Sequence, residues 1–199
     1  MMAWVIGGIV TSFFFLISKK LYQNNNQFDM MIKVKNNQWK STNGVNNDDL
    51  LTLVNYENTI PENWKVDLVQ LNNGQSVDRR IYKDLMDMLQ VAKKEGLNPL
   101  ICSSYRTCKK QEDLYQNKVK KYLNQGYSKA EAFDKAAFWV ARPQTSEHQL
   151  GLAVDIVSLK NQRLDHQQEN TAEQHWLIQN SWKYGFILRY PTNKNNITK

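Results

Sequence analysis

The ten residues from Ser146 to Asp155, Ser-Glu-His-Gln-Leu-Gly-Leu-Ala-Val-Asp, constrain this chain more than any other stretch. After the turn residue Gly151, the run Leu152-Ala153-Val154-Asp155-Ile156-Val157 reads as a short, mostly buried strand. A carboxylate inside such a run is costly to bury unless it is paired or coordinates a metal, so the fold must bring a partner to Asp155. Two readings stand at this point. Asp155 ends in a salt bridge and His148 caps a turn, or both side chains ligate a metal. As zinc ligands they would supply nitrogen and oxygen at about 2.0–2.2 Å, half of a tetrahedral site, leaving at least one protein ligand to be found.

The rest of the folded region reads in order from Leu50. Leu50 to Asn55 is expected as a short strand, Ile60 to Trp64 as a proline-marked loop, and Val66 to Leu71 as a strand ending at the Asn72-Asn73-Gly74 turn. Ile81, Leu85, Met88, Leu89 and Ala92 repeat at helical spacing, and Gly96 ends that helix. Leu97 to Cys102 is a strand delivering Ser103-Ser104-Tyr105-Arg106, after which Thr107 caps a helix over 109–123 with Leu114, Val119 and Tyr122 facing inward. Ser128 starts a third helix whose inward positions are Ala130, Phe133, Ala136, Ala137 and Val140, stopped by Pro143. A last helix from His175 through Trp182 and a strand over 185–191 complete the order. Strands and helices alternate without a βαβ period, so the class is α+β, a small mixed sheet flanked by helices.

The net charge of +7 favours an anionic setting: nucleic acid, a membrane surface or a bacterial wall. The basic residues are mostly scattered lysines, with no arginine-rich helix, zinc knuckle or aromatic RNA-binding signature, which disfavours nucleic acid. Ala3 to Ser18 is apolar and uncharged; as a helix it covers about 24 Å, somewhat short of a bilayer core of roughly 30 Å. It reads as a signal-peptide core or a membrane anchor, and the poor cleavage site at Leu16-Ile17-Ser18 favours an anchor. Lys19 and Lys20 follow the run, and the positive-inside rule then argues against a domain on the outer side. The expected organisation is an anchor over 1–20, an asparagine-rich linker over 21–48 and one domain over 49–199.

Three segments carry a resemblance to a known family. They are Ser104-Tyr105-Arg106-Thr107 with Gln111 and Leu114-Tyr115; Pro143 to Asp155, with its Ser-x-His-x-x-Gly-x-Ala-x-Asp pattern; and Trp182 to Pro191. Together they resemble the VanY-type D-alanyl-D-alanine carboxypeptidases and their relatives among the LAS-type zinc peptidases, over nearly the whole region from Leu50 to Pro191. The resemblance implies a monomeric zinc enzyme on the outer face of the bacterial membrane, cleaving the terminal D-alanine from peptidoglycan stem peptides. It implies one zinc ion on His148 and Asp155, Arg106 facing the substrate carboxylate or the developing oxyanion, and Gln111 and Ser146 near the substrate. Helix or turn capping explains Ser146 equally well. Glu147, next to a ligand on an extended segment, is expected to face away and is not taken as the general base. Cys102 and Cys108 bracket the Arg106 segment and are either a disulfide or two reduced thiols; their spacing permits the bond without requiring it.

The sequence departs from the family at one place. VanY-type enzymes carry Glu-Pro-Trp-His after the final strand, the glutamate as general base and the histidine as third zinc ligand. Here Pro191 is followed by Thr192 to Lys199 without that tetrapeptide. His166, His175, Glu169 and Glu173 are poor replacements. The expectation is a truncated form with two zinc ligands, weak zinc affinity and an exposed sheet edge; the alternative is a catalytically inactive peptidoglycan-binding module.

Overall fold

The structure, a computed structural model, describes residues 50–189 and the backbone of Phe14–Leu16. A four-stranded sheet forms its centre, in the order β4-β5-β1-β6, every neighbouring pair antiparallel. Its strands are β1 (Phe14–Leu16), β4 (Pro99–Ser103), β5 (Val154–Ser158) and β6 (Ile187–Leu188). A separate hairpin joins β2 (Leu68–Gln70) to β3 (Ser76–Asp78). The helices are α1 (Arg79–Lys94), α2 (Cys108–Leu123), α3 (Lys129–Trp139) and α4 (Ala172–Asn180). The α+β class expected from the sequence is the class found.

Helix α1 follows its periodicity: Ile81, Leu85, Met88, Leu89 and Ala92 are all buried against the sheet. Asp78 caps it, its carboxylate accepting from Arg80 N at 2.9 Å and from the Arg80 side chain, while Lys93 and Lys94 complement the dipole at the other end. The main core joins this face to Leu150, Leu152, Ala153, Val154 and Ile156 around β5, and to Trp176, Leu177 and Phe186 beyond it. All five residues of β5 are buried. Helices α2 and α3 form a hairpin with a small core of its own, Tyr115, Val119, Ala132 and Ala136.

Several expectations are corrected. Leu50 to Asn55 is not a strand: a single 3-10 turn at Leu50 and Leu51 runs into irregular chain, with Leu50 and Val54 packed into the core. In the α2–α3 hairpin the expected Val119 and Ala136 are buried, with Tyr122, Phe133, Ala137 and Val140 packed against them, but Leu114 is only half-buried and Ala130 is exposed, and Tyr115 and Ala132 complete the core instead. The last helix starts three residues before His175 and gives way to a 3-10 turn, Ser181–Tyr184, and the final strand is only two residues long. Of the apolar segment expected as a helical anchor, only Phe14–Leu16 is described, and it is an extended strand inserted between β5 and β6. In this insertion Phe14 pairs with Asp155 and Phe15 with Val154. No helix among the described residues is long and apolar enough to cross a membrane. The linker over 21–48, Pro191 and the residues after it lie outside the described region.

Candidate metal and substrate site

The site is assembled by two local departures from regular structure. The first is a bulge in β4. Ile101 pairs with Ile156 but Ser103 pairs with Asp155, so Cys102 is the extra residue and Ser103 is brought opposite the carboxylate. The second is the turn before β5. Glu147–Leu150 form one 3-10 turn closed by Gly151 in the left-handed conformation, φ 76°. A Cβ at Gly151 would meet Val66 Cγ1 at 2.8 Å and Asp78 N at 3.2 Å, because Asp78 N donates to Gly151 O at 2.9 Å. The turn is thereby seated on the capped start of α1.

These two features bring His148, Asp155 and Arg106 together. His148 Nε2 lies 3.4 Å from Asp155 Oδ2, and Arg106 Nη2 donates to the same oxygen at 3.2 Å. His148 Nδ1 is 2.7 Å from Ser104 O; a carbonyl only accepts, so Nδ1 carries the proton and Nε2 presents its lone pair on the Asp155 side. Asp155 Oδ1 finds no hydrogen-bond partner among the described residues. Ser103 Oγ accepts from Arg106 Nε at 3.1 Å and Nη2 at 2.7 Å, fixing the plane of the guanidinium. Gln111, fully buried, accepts from Arg106 Nη1 at 3.4 Å and donates to Ala141 O at 2.7 Å.

The electrostatics follow from burial. Asp155 is completely buried, which pushes its carboxyl up to about 7 against the pull of the Arg106 guanidinium. His148 is 1% exposed; burial, followed by the Arg106 charge, drives its pKa well below the ordinary histidine value. The imidazole is therefore neutral, the form that ligates a metal. Two buried donors of zinc-binding chemistry side by side, the histidine oriented through its other nitrogen by a carbonyl, form the arrangement found around metal ligands. The residues present fit that half of a zinc shell.

Among the sequence candidates, His148, Asp155, Arg106 and Gln111 converge. Ser146 is buried beside His148, and its hydroxyl makes no capping bond to the turn, so the capping explanation is not the one found. His166 and His175 are exposed, and among the described residues no group of three or more histidine, cysteine, aspartate or glutamate side chains is placed to hold a metal. Glu173 instead accepts from Asn98 N at 3.0 Å, joining α4 to the start of β4. The disulfide alternative for Cys102 and Cys108 is not formed: both are free thiols, Cys102 at the bulge with Sγ 3.5 Å from Asp155 O, Cys108 exposed at the start of α2.

One pair was missed. Glu147, expected to face away from the metal, does so, but into the protein: its Oε1 accepts from Arg189 Nε at 2.7 Å, with both residues buried. Burial pushes the Glu147 carboxyl up to about 7, opposed by the Arg189 charge. The two are 42 positions apart, and no local pattern pairs them.

Comparison with known proteins matches the chain to one family. The model of the VanY family, D-alanyl-D-alanine carboxypeptidase, matches residues 74–199. A D-alanyl-D-alanine carboxypeptidase of Enterococcus faecalis (strain ATCC 700802 / V583) is 45% identical over 148 residues, 74% of this chain and 53% of that protein, so the chain spans about half the length of that relative. The structure of VanYB in complex with D-alanine-D-alanine superposes with a TM-score of 0.65 at 43% identity, covering 74% of this chain and 78% of that one. A vancomycin-resistance D,D-pentapeptidase, VanY of a VanB-type cassette, in complex with Zn(II) gives 0.64 at 43% identity, covering 74% and 80%. The chain belongs to the VanY family of D-alanyl-D-alanine carboxypeptidases.

Proposed function

We propose that this chain acts as a zinc-dependent carboxypeptidase on peptidoglycan stem peptides ending in D-alanyl-D-alanine, on the outer side of the bacterial membrane. The observation that carries the proposal is the convergence of His148 and Arg106 on one buried carboxylate oxygen, Asp155 Oδ2. Relatives with the same family name support it, one solved with D-alanine-D-alanine and one with Zn(II).

His148 and Asp155 would hold the ion. When bound, zinc supplies Lewis acidity, polarising a carbonyl and lowering the pKa of its water to about 7. The remaining tasks fall to the protein. Arg106 is the member of the cluster that reaches solvent, its side chain 19% exposed, so it can meet an incoming peptide while Ser103 and Gln111 hold its plane. Its rigid fork matches a terminal carboxylate or an oxyanion formed at the scissile bond. Ser146 adds a hydroxyl uncommitted to the turn, suited to a hydrogen bond with the peptide end. Full burial of His148 and Asp155 excludes water from their flank and strengthens each polar contact there.

The test is release of D-alanine from an acyl-D-alanyl-D-alanine peptide by the 199-residue chain, with and without a chelator and with zinc restored. The proposal expects release that the chelator abolishes and zinc returns. In Arg106→Lys, kcat/KM should fall about 100-fold or more, because a point charge cannot replace the fork. Peptide binding without turnover, indifferent to the chelator, would replace the enzyme by a wall-binding module.

A further inference from the structure

The buried Glu147–Arg189 pair links the turn before β5 to the residue after β6. Glu147 is the first residue of the turn that carries His148, and Arg189 follows β6, the far strand of the sheet. With about three residues per turn, successive side chains of a 3-10 helix point roughly 120° apart. His148 can therefore face Asp155 while Glu147 faces Arg189. On the β4 side the turn is tied by Arg106 N to His148 O at 3.1 Å and by the Ser104 carbonyl on the imidazole. On the β6 side the tie is Arg189 Nε to Glu147 Oε1, at 2.7 Å.

A buried charge that loses its partner is strongly destabilising, so the group must take up a proton or the segment that carries it must shift. For Glu147 that segment includes the peptide bond to His148. We propose that Glu147 and Arg189 are positioning residues, a strut that holds the His148 turn at the spacing from Asp155 that a metal requires. The inference rests on the metal-binding reading of His148 and Asp155, and it assigns the pair a role beyond stability.

Imidazole nitrogen NMR of the metal-free chain tests it, comparing the wild type with Arg189→Met, Arg189→Lys and Glu147→Gln, and with Leu85→Ala as a core variant remote from the turn. The wild type should show His148 in one neutral tautomer, protonated at Nδ1. Arg189→Met should give averaged shifts of two tautomers, Arg189→Lys should restore most of the single tautomer, and Leu85→Ala should leave it unchanged. Zinc affinity by competition with a chromophoric chelator should follow the same order, falling about tenfold or more in Arg189→Met, as when partners of metal ligands are removed. If Arg189→Met fails to fold, Glu147→Gln, which keeps shape and loses charge, decides the matter on the same signals. A His148 spectrum that Arg189→Met and Glu147→Gln both leave as in the wild type overturns the strut. Wild-type His148 signals indifferent to added zinc would overturn the metal reading instead, while the tautomer comparison still judges the pair.

Discussion

Asp155 sits in a strand whose five residues are all buried, and its environment explains the chemistry of its neighbours. Because β4 bulges at Cys102, Ser103 reaches across to orient Arg106, and Arg106 in turn compensates the carboxylate. The same bulge turns Cys102 inward. Desolvation, followed by the nearby Asp155 charge, pushes its thiol up to about 12, whereas Cys108 is exposed on the first turn of α2. Thiolate is the reactive form, so the two cysteines should behave differently. Under native conditions at mild alkaline pH, iodoacetamide should modify Cys108 rapidly and leave Cys102 intact until denaturant is added, as read by peptide mass spectrometry. Equal rates at both positions, or protection of both until reduction, would contradict this account of the bulge. At this scale the sequence was informative about identity more than about contact. His148, Asp155, Arg106 and Gln111 stood out from their segments, but the bulge and the Glu147–Arg189 pair arise from register and from 42 residues of separation, which no local pattern encodes.

Among the elements, α1 was legible to the residue because its apolar stripe is buried as one face in the main core, where all five predicted positions lie. Helices α2 and α3, which pack on each other, were legible at Val119, Tyr122, Phe133, Ala136, Ala137 and Val140 but not at every inward position. In that hairpin Tyr115 Oη donates to Phe133 O at 3.0 Å and Ala132 is fully buried, so these two take the inward positions expected of Leu114 and Ala130. Helix α3 begins with a capping box: the Ser128 hydroxyl and amide both bond the Glu131 carboxylate, and these hydrogen bonds lower the Glu131 pKa from its ordinary 4.5. A depressed acid contributes stability that is complete above the unfolded value and lost as pH falls through the folded one. Amides in the first turn of α3 should therefore lose exchange protection, corrected for intrinsic rates, below about pH 4, while those in the middle of α1 keep theirs. Protection in α3 that does not change between neutral pH and about pH 3 would show that the box contributes nothing. The turn before β5 makes a sharper demand. Gly151→Ala must adopt a left-handed conformation costing about 1–2 kcal/mol and must also displace Val66 or Asp78. Urea unfolding should show a loss of at least that size; a midpoint equal to the wild type would mean that the turn is not seated as described.

For the molecule as a whole, the class, the order of elements and the family were readable from three separated segments, Ser104 to Tyr115, Pro143 to Asp155 and Trp182 to Pro191, and Arg106, His148, Asp155, Glu147 and Arg189 from these segments are joined by hydrogen bonds about the turn before β5. The ends of the chain were not readable in the same way. An apolar run such as Phe13 to Ile17 satisfies a bilayer or a sheet equally well, and the pairing of Phe14–Leu16 with β5 and β6 is a long-range choice. What unites the molecule is that β4, the turn and β5 converge on His148 and Asp155, the pair proposed to hold a metal. Equilibrium zinc binding tests that claim most directly, measured for the wild type, His148→Ala and Asp155→Asn by competition with a chromophoric chelator. The account predicts one ion per chain, with affinity falling by about 100-fold, or roughly 2.7 kcal/mol, when either side chain is changed. Zinc binding that both variants retain at wild-type strength, or none in the wild type, would contradict it.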